Sequence, residues 1–251
     1  MDVKLIIVRH GETAYNRQHI IQGHLDVPLN ENGRIQAFSA GQALKEVKFD
    51  AAYSSDLSRA YETAEIVLNH NKPGLNGGIW KCYTLRERGT GVMQGQSSNL
   101  LLEEAKERGI PAYKYTPQGG ETLEMMTYRA ALFFEDLCED IKLRWKLGQS
   151  PTILIASHGG LIKDLLVYLV ERKGCTLPKV GNTEYRAISP NCGLTTLNLK
   201  LDTELDLKSM QIVDLYNGKH LRGLDLMTTK NHHLSSLSAV SNVLRIRNDS
   251  L

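Results

Sequence analysis

The sequence predicts an α/β fold, a three-layer αβα sandwich whose central sheet is mainly parallel and carries helices on both faces. Short apolar runs rich in β-branched residues alternate with stretches of helical periodicity, which is the pattern of consecutive βαβ units. Of the 251 residues, 41% are hydrophobic, enough for a sizeable core, and no long linker interrupts the chain. We therefore predict one domain over residues 1–230 and a C-terminal tail over residues 231–251.

The first strand is predicted at residues 5–8, an apolar run typical of a strand buried on both faces of a sheet. Gly11 lets the backbone turn sharply where the strand ends. Arg9 and His10 are therefore presented at the carboxyl end of a strand, where open α/β sheets bind ligands. A neutral imidazole is a capable nucleophile toward phosphorus, and a guanidinium suits a phosphate dianion. Taken alone, the motif is equally compatible with an ordinary buried histidine.

Two helices and a second strand follow. Asn30 has the side chain of an N-cap, and the helix that it opens is predicted to reach about Glu46. A short strand over residues 50–53 then runs into Ser54-Ser55-Asp56, a helix-start signal. The residues expected to face inward are Ile35, Phe38 and Leu44 in the first helix and Leu57, Tyr61, Ala64 and Leu68 in the second.

The middle of the chain predicts a third strand over residues 79–85 and a helix over residues 97–108. The segment 109–120, which contains proline and glycine, is expected to form a cap or lid. Gly119-Gly120-Glu121-Thr122 then opens a long helix to about Trp145. Its inward residues are expected to be Leu123, Met126, Phe133, Leu137 and Ile141.

The last third predicts a fourth buried strand over residues 152–156 that ends in Ser157-His158-Gly159-Gly160. A helix follows, with two more strands over residues 194–199 and 210–215. The tail combines helical spacing of its leucines with a Ser- and Asn-rich composition, so a docking helix and a disordered terminus are both compatible with it. His232-His233 is expected to be an exposed polar pair rather than a metal site.

Charge and composition exclude several classes of function. The formal net charge is +2, which gives no electrostatic argument for nucleic acid or an anionic membrane as a partner. No stretch reaches the ~18–20 apolar residues of a membrane helix, and no signal-like segment opens the chain. Four scattered cysteines fit reduced thiols better than a disulfide framework or a zinc site. We expect a soluble, cytoplasmic protein whose partner is a small molecule; no motif indicates an oligomeric state.

Three separate strand ends each deliver a cationic or imidazole side chain: Arg9 with His10, then Arg59, then His158. The carboxyl ends of parallel strands lie on one edge of the sheet, so these residues are expected to share a crevice. Arg59 also lies near the start of its helix, where free backbone N–H groups favour an anion. Individually, Arg59 could be a solvated helix charge and His158 could simply bond a turn. Their equivalent positions favour a phosphate site.

Glu87 supplies the proton donor that this cluster otherwise lacks. An alkoxide is a poor leaving group unless it is protonated as it departs. A carboxyl group beside a phosphate is favoured in its protonated form, so Glu87 is a candidate general acid. The alternative is a surface ion pair with Arg86 or Arg88.

These residues occur within motifs that resemble the histidine phosphatase superfamily, also called phosphoglycerate-mutase-like. The motifs follow the order of that family from residue 5 to about residue 200. They are Arg9-His10-Gly11-Glu12-Thr13 with Asn16, Ser54-Ser55-Asp56-Leu57-Ser58-Arg59-Ala60, Leu85-Arg86-Glu87-Arg88 with Gly91 and Gly95, Gly120-Glu121-Thr122, Ser157-His158-Gly159 and Pro190-Asn191-Cys192-Gly193.

Within the superfamily, the chain is most similar to the branch of TIGAR-type fructose-2,6-bisphosphatases. The motifs that carry this likeness are Ile20-Ile21-Gln22-Gly23, Leu85-Arg86-Glu87-Arg88, the stretch from Thr116 to Leu123 and the helix segment from Phe133 to Cys138. The resemblance implies hydrolysis of fructose 2,6-bisphosphate to fructose 6-phosphate, which lowers glycolytic flux. The tail does not match this branch.

The resemblance also implies roles for individual residues. His10 would be the nucleophile that forms a phosphohistidine, and Glu87 would protonate the leaving oxygen and later activate water. Arg9, Arg59 and His158 would bind the phosphoryl oxygens. No metal or other cofactor is implied. The phosphate pocket would be completed by Asn16, Gln22 and Gly23, and candidates for binding a second phosphate are Arg88, Lys114 and Arg186.

Two other functions remain compatible with the sequence. Phosphoglycerate mutases of this family place a pair of arginines after the general acid, whereas residues 111–116 offer only Lys114, which favours hydrolysis. A non-catalytic phosphate-sensing module on the same fold is the other alternative. A pure binder needs no general acid, so the combination of His10, Glu87 and His158 favours an enzyme.

Overall fold

The computed structural model describes residues 1–71, 75 and 77–224. The strands are β1 (Asp2–Arg9), β2 (Ala51–Ser55), β3 (Trp80–Cys82), β4 (Thr152–Ser157), β5 (Leu194–Leu201) and β6 (Leu207–Asn217). The α-helices are α1 (Ala14–Arg17), α2 (Glu31–Ala43), α3 (Ser58–Asn69), α4 (Ser98–Glu107), α5 (Leu123–Arg144) and α6 (Gly159–Lys173). Short 3₁₀ turns occupy Tyr83–Leu85, Gly91–Met93 and Lys219–Leu221.

The strands form one mixed sheet in the order β3-β2-β4-β1-β5-β6. The first four strands of that order pair in parallel, whereas β5 pairs antiparallel with both β1 and β6. Antiparallel edge strands on an otherwise parallel sheet are common in α/β folds. The predicted α/β sandwich is therefore confirmed, with all four parallel strands ending at one edge of the sheet.

Alternate residues of β1 lie on opposite faces of the sheet, because successive side chains of a strand point to opposite sides. Leu5 and Ile7 belong to a hydrophobic cluster that includes the buried residues of α5 and α6. Ile6 and Val8 are equally buried and face the other side. There α3 contacts β2 and β4, and α2 packs on α3. Both faces of the strand are covered, as its apolar run predicted.

The inward face of α2 agrees with the prediction at Leu44, which is buried, but differs from it at Phe38. Phe38 is 42% exposed and lies edge-on against His70, with ring centroids 4.6 Å apart. A Cβ on Gly41 would lie 3.3 Å from the Cα of Val67 in α3, so the two helices approach closely at this point. Large side chains are therefore displaced to the margin, and the helix buries Gly33, Ala37, Ala40 and Gly41.

The start of α3 also differs from the prediction. Ser54 and Ser55 belong to β2, and the N-cap is Leu57, which makes no side-chain capping bond. The Ser55 hydroxyl turns into the buried edge of the sheet and accepts a hydrogen bond from the backbone N–H of Leu57 at 3.3 Å. Leu57 and Ala64 are buried as predicted, whereas Tyr61 and Leu68 are not. The buried residues within the helix are Arg59, Ala60, Thr63, Ala64 and Val67.

The remaining elements agree with the prediction to within a few residues, except that β3 is shorter and ends in a 3₁₀ turn. None of the described helices is long and apolar enough to cross a membrane. Residues Met1–His220 form one compact unit. The predicted tail over residues 231–251, including His232-His233, lies outside the described residues.

Candidate active site

The carboxyl ends of β1 and β4 bring two histidines together. Arg9 is in register with Ser157, so His10 and His158 follow paired positions of neighbouring strands. The backbone N–H of His10 donates to the carbonyl of Ser157 at 2.9 Å. As a result the two imidazole rings lie with their centroids 5.1 Å apart.

His10 is held in one tautomer. Its side chain is buried, and Nδ1 lies 2.7 Å from the carbonyl oxygen of Gly11. A carbonyl only accepts hydrogen bonds, so Nδ1 carries the proton and the lone pair is on Nε2. Burial, together with the charges of Arg9 and Arg59, holds the pKa of His10 well below 6.5. The imidazole is therefore neutral at physiological pH, with a nucleophilic nitrogen.

Arg59 is a fully buried cation in the first turn of α3. Its Nη1 and Nη2 donate to the carbonyls of Leu25 and Gly23 at 2.7 and 2.8 Å. Its Nε has no hydrogen-bond partner among the described residues. Burial lowers the pKa of Arg59 to about 10, so the guanidinium remains charged at neutral pH.

Arg9 is the second cation of the cluster. Its Nη1 donates to the carbonyl of Ser189 at 2.6 Å, and its Nε is buried without a partner in the described part of the chain. No described carboxylate forms an ion pair with either Arg9 or Arg59. Buried cations are normally paired, so this pocket favours an anion.

His158 completes the cluster from the N-terminus of α6. It is fully buried, and its Nε2 lies 2.9 Å from the hydroxyl of Ser55. Its Nδ1 has no partner among the described residues. Burial and the nearby charge of Arg59 hold the pKa of His158 well below 6.5.

Glu87 follows the turn after β3 and is held by two backbone groups. Its Oε2 accepts from the N–H of Gly160 and its Oε1 from the N–H of Arg88, both at 2.9 Å. Gly160 is two positions after His158, so its bond to Oε2 places the carboxylate beside the cluster. A Cβ on Gly160 would collide with the Glu87 carboxylate, so the missing side chain leaves room for it.

The residues predicted to complete the phosphate pocket form a network on the loop after β1. Asn16 Oδ1 accepts from the N–H and hydroxyl of Thr13 and so caps α1. Gln22 Oε1 lies 3.0 Å from the same hydroxyl. Gly23 has φ of +51° and supplies a carbonyl to Arg59. The loop is thereby tied directly to the cationic cluster.

The three candidates for a second phosphate have other partners. The Arg88 guanidinium donates to the carbonyls of Glu121, Tyr113 and Tyr115 and to the hydroxyl of Thr116. It therefore holds the segment over residues 113–121. Lys114 is exposed, with its ammonium 5.8 Å from the ring centroid of Tyr113. Arg186 is exposed and pairs with Glu171.

Several neighbours of the cluster were not predicted. Asn191 Nδ2 donates to the carbonyl of His10 at 2.9 Å, and Thr63 Oγ1 accepts from the N–H of Gly11 at 3.0 Å. Ser189 accepts from Arg9 although 180 positions separate them. The Pro190-Asn191-Cys192-Gly193 motif was the one available signal. Nothing in local spacing could indicate the others, because their contacts depend on the sheet order.

The arrangement can bind a tetrahedral anion and transfer a phosphoryl group. It combines in one crevice a neutral nucleophilic imidazole, a carboxyl group and two guanidinium groups that have no carboxylate partner among the described residues. Unpaired N–H donors in a buried site stabilise charge that develops on phosphoryl oxygens. Within residues 1–71, 75 and 77–224, no group of three or more His, Cys, Asp or Glu side chains is arranged to hold a metal ion.

Comparison with known proteins finds relatives that match most of this chain. The model of the histidine phosphatase superfamily (branch 1) matches residues 5–204. Fructose-2,6-bisphosphatase TIGAR of Bos taurus is 33% identical over 238 residues, covering 79% of this chain and 88% of that protein. Phosphoglycerate mutase-like protein 4 of Arabidopsis thaliana is 37% identical over 175 residues, which cover 64% of this chain and 69% of that protein. A mycobacterial glucosyl-3-phosphoglycerate phosphatase of known structure superposes with a TM-score of 0.66 at 26% identity, and the match covers 84% of this chain and 97% of that one.

Proposed function

Since this chain belongs to the histidine phosphatase superfamily, we propose that it hydrolyses phosphate esters of small metabolites, with fructose 2,6-bisphosphate as its substrate. The observation that carries the proposal is the tautomer of His10. Nδ1 is bound to the Gly11 carbonyl, so the free lone pair is on Nε2. That nitrogen shares a crevice with two guanidinium groups that have no carboxylate partner among the described residues.

In the first step, Nε2 of His10 attacks phosphorus and the bond from phosphorus to the ester oxygen breaks. Glu87 gives its proton to the departing oxygen, which leaves as an alcohol. Arg9, Arg59 and His158 stabilise the charge on the three phosphoryl oxygens. The product of this step is a phosphohistidine with a Glu87 carboxylate beside it.

In the second step, the Glu87 carboxylate takes a proton from water as that water attacks phosphorus. The bond between phosphorus and Nε2 breaks, and inorganic phosphate leaves. Two backbone N–H groups hold the Glu87 carboxylate at the same place in both steps.

The substrate is supported by relatives rather than by a second cationic pocket. The protein from Bos taurus named fructose-2,6-bisphosphatase is similar over 79% of this chain. Arg88, Lys114 and Arg186 are the proposed contacts for the second phosphate. Arg186 would have to exchange its Glu171 partner for that phosphate, since the two now form an ion pair.

A substrate panel tests the proposal. We expect kcat/KM for phosphate release to be highest with fructose 2,6-bisphosphate among four compounds, the others being fructose 1,6-bisphosphate, 2,3-bisphosphoglycerate and 3-phosphoglycerate. The His10→Ala protein serves as the blank for contaminating phosphatases. A higher value for another compound would contradict the substrate, and release from none would contradict the enzyme.

Phosphoglycerate mutase activity is the second candidate, because a relative of 37% identity is named mutase-like. A mutase must keep its phosphohistidine and clamp a small carboxylate. In the segment where mutases of the family carry two arginines, this chain has only Lys114, and its side chain is exposed. We expect no 2-phosphoglycerate from 3-phosphoglycerate in the presence of 2,3-bisphosphoglycerate; rapid interconversion would favour the mutase.

A further inference from the structure

A buried ion pair lies between the start of α5 and the segment that carries Glu87. Arg129 is 6% exposed and binds both carboxylate oxygens of Glu121, at 3.0 and 2.8 Å. Burial opposes ionisation of Glu121, but the bonds from Arg129 and the Gly89 N–H outweigh it and lower the pKa of that carboxyl. The Glu121 carboxyl group is therefore ionised at neutral pH.

The remaining hydrogen bonds of Arg129 are all with the backbone around Glu87. Arg129 donates to the carbonyls of Thr84, Arg86 and Glu87, at 3.0, 2.6 and 3.0 Å. With the two bonds to Glu121, these account for five hydrogen bonds, the number that a guanidinium can donate. The side chain of Arg129 is thus fully used in holding one turn of backbone.

The other partner holds the same segment from its opposite end. Glu121 Oε2 accepts from the N–H of Gly89 at 2.7 Å. His24 Nε2 lies 2.8 Å from the Glu87 carbonyl and 3.7 Å from Glu121 Oε2. Residues 84–89 are therefore fixed on both sides of Glu87 by charged groups that do not reach the carboxylate of Glu87 itself.

We propose that Arg129 and Glu121 are positioning residues that aim the Glu87 carboxyl group at the leaving oxygen. The inference rests on the proposed function, because it assigns Glu87 the role of general acid. A buried charged pair costs desolvation energy, and such a pair is often no more stabilising than apolar residues. The role that we assign to this pair is to position Glu87, since proton transfer requires a donor within hydrogen-bond reach of its acceptor.

Leaving groups of different acidity test this role. An alkoxide needs a proton as it departs, whereas the phenolate of p-nitrophenyl phosphate leaves without much help. Arg129→Lys keeps the charge but loses the planar fork. We measure kcat/KM, because it covers only the steps up to phosphoryl transfer to His10, whereas kcat also includes the later attack of water that Glu87 assists. We expect Arg129→Lys to lower kcat/KM for the best alkyl phosphate of the panel about tenfold or more, and kcat/KM for p-nitrophenyl phosphate less than about threefold, compared with the ~10²–10⁴ that general acids supply. Glu121→Gln should show the same split.

A double-mutant cycle shows whether the effect acts through Glu87. Once Glu87→Gln has removed the proton donor, adding Arg129→Lys should cause no further loss with the alkyl substrate. Binding of vanadate, an analogue of the phosphoryl group, should be unchanged in Arg129→Lys. The control is Arg34→Lys, which breaks a forked pair with Glu62 between α2 and α3 and should leave the ratio of the two kcat/KM values unchanged.

The outcomes separate the two proposals. Equal losses on both substrates in Arg129→Lys, or a further loss on top of Glu87→Gln, would show a merely structural pair and overturn the inference while leaving the function intact. If Glu87→Gln itself lowered kcat/KM equally for both substrates, Glu87 would not be the general acid and both proposals would fail. Should Arg129→Lys not fold, Glu121→Gln provides the same comparison.

Discussion

At the scale of single residues, the properties of His10 come from the groups that surround it. Its Nδ1 proton is held by the Gly11 carbonyl, and its neutrality follows from burial beside two guanidinium groups. The sequence predicted its place at a strand end. The tautomer depends on a turn conformation that the residue types alone do not specify.

Replacing this imidazole should remove the first chemical step. We expect His10→Ala to lower phosphate release by about 10³–10⁶-fold, the range typical when a nucleophile is lost. It should also abolish acid-labile labelling of the protein by substrate phosphate. The control is His19→Asn, since His19 is exposed and asparagine tolerates its φ of +54°. Near-normal turnover in His10→Ala would contradict the mechanism.

The lowered pKa values of His10 and His158 also predict how stability depends on pH. Below about pH 6.5 the unfolded chain binds protons that the folded chain excludes, so the free energy of unfolding falls as the pH falls. Each histidine contributes at most about 1.4 kcal/mol per pH unit between its two pKa values. Urea titrations of the wild type and His10→Ala measure the slope, which should be smaller in the variant. Equal slopes would contradict the burial argument for His10.

At the scale of elements, the first turn of α6 depends on the absence of a side chain at Gly160. A Cβ on Gly160 would strike the Glu87 carboxylate, which that turn holds through a backbone N–H. The sequence predicted a helix after Ser157-His158-Gly159-Gly160, but the reason for the second glycine lies in a residue 73 positions away. The helix itself would accept alanine, which is about 1 kcal/mol better than glycine in a helix interior.

Gly160→Ala should therefore separate folding from activity. We expect the melting temperature to stay near that of the wild type while kcat for an alkyl phosphate falls by about 10²-fold, because the proton donor is displaced. Gly78→Ala is the matched control, since a Cβ there meets no atom within 4 Å. Thermal melts and phosphate release check both variants, and unchanged kcat in Gly160→Ala would contradict the assigned place of Glu87.

The start of a helix could be predicted from the sequence where the side chain that caps it is a neighbour in sequence. Asn30 caps the start of α2 through its side chain, as predicted, and Thr122 makes the same kind of bond where the predicted helix α5 begins. Ser54-Ser55-Asp56 was wrong as a helix start because Ser55 belongs to β2 and its hydroxyl contacts His158 at the buried edge of the sheet. Phe38 was wrong as a core residue because α2 meets α3 through glycine and alanine. In both places a tertiary contact prevailed over local propensity.

At the scale of the whole molecule, the order of the strands makes the site. β4 lies between β2 and β1, so the residues after three strands meet although nearly 150 positions separate His10 from His158. That much followed from the sequence, because parallel strands share an edge. The Ser189 and Asn191 contacts did not, because they depend on the chain crossing back to begin β5 antiparallel to β1.

Because the cluster gathers cations from separate elements, an anion that bridges them should stabilise the whole fold. At a phosphate concentration 100 times its Kd, we expect a gain of about 2.7 kcal/mol in the free energy of unfolding, or roughly 5–10 °C in melting temperature. Chloride at equal ionic strength should not reproduce this gain.

Arg59→Met keeps an apolar stem of similar length but removes the charge, and should abolish most of the shift in melting temperature even if its own melting temperature is lower. Arg34→Met, which removes a cation between α2 and α3, should keep the full shift. Loss of the shift in both variants would indicate general screening, and its persistence in Arg59→Met would place the anion elsewhere.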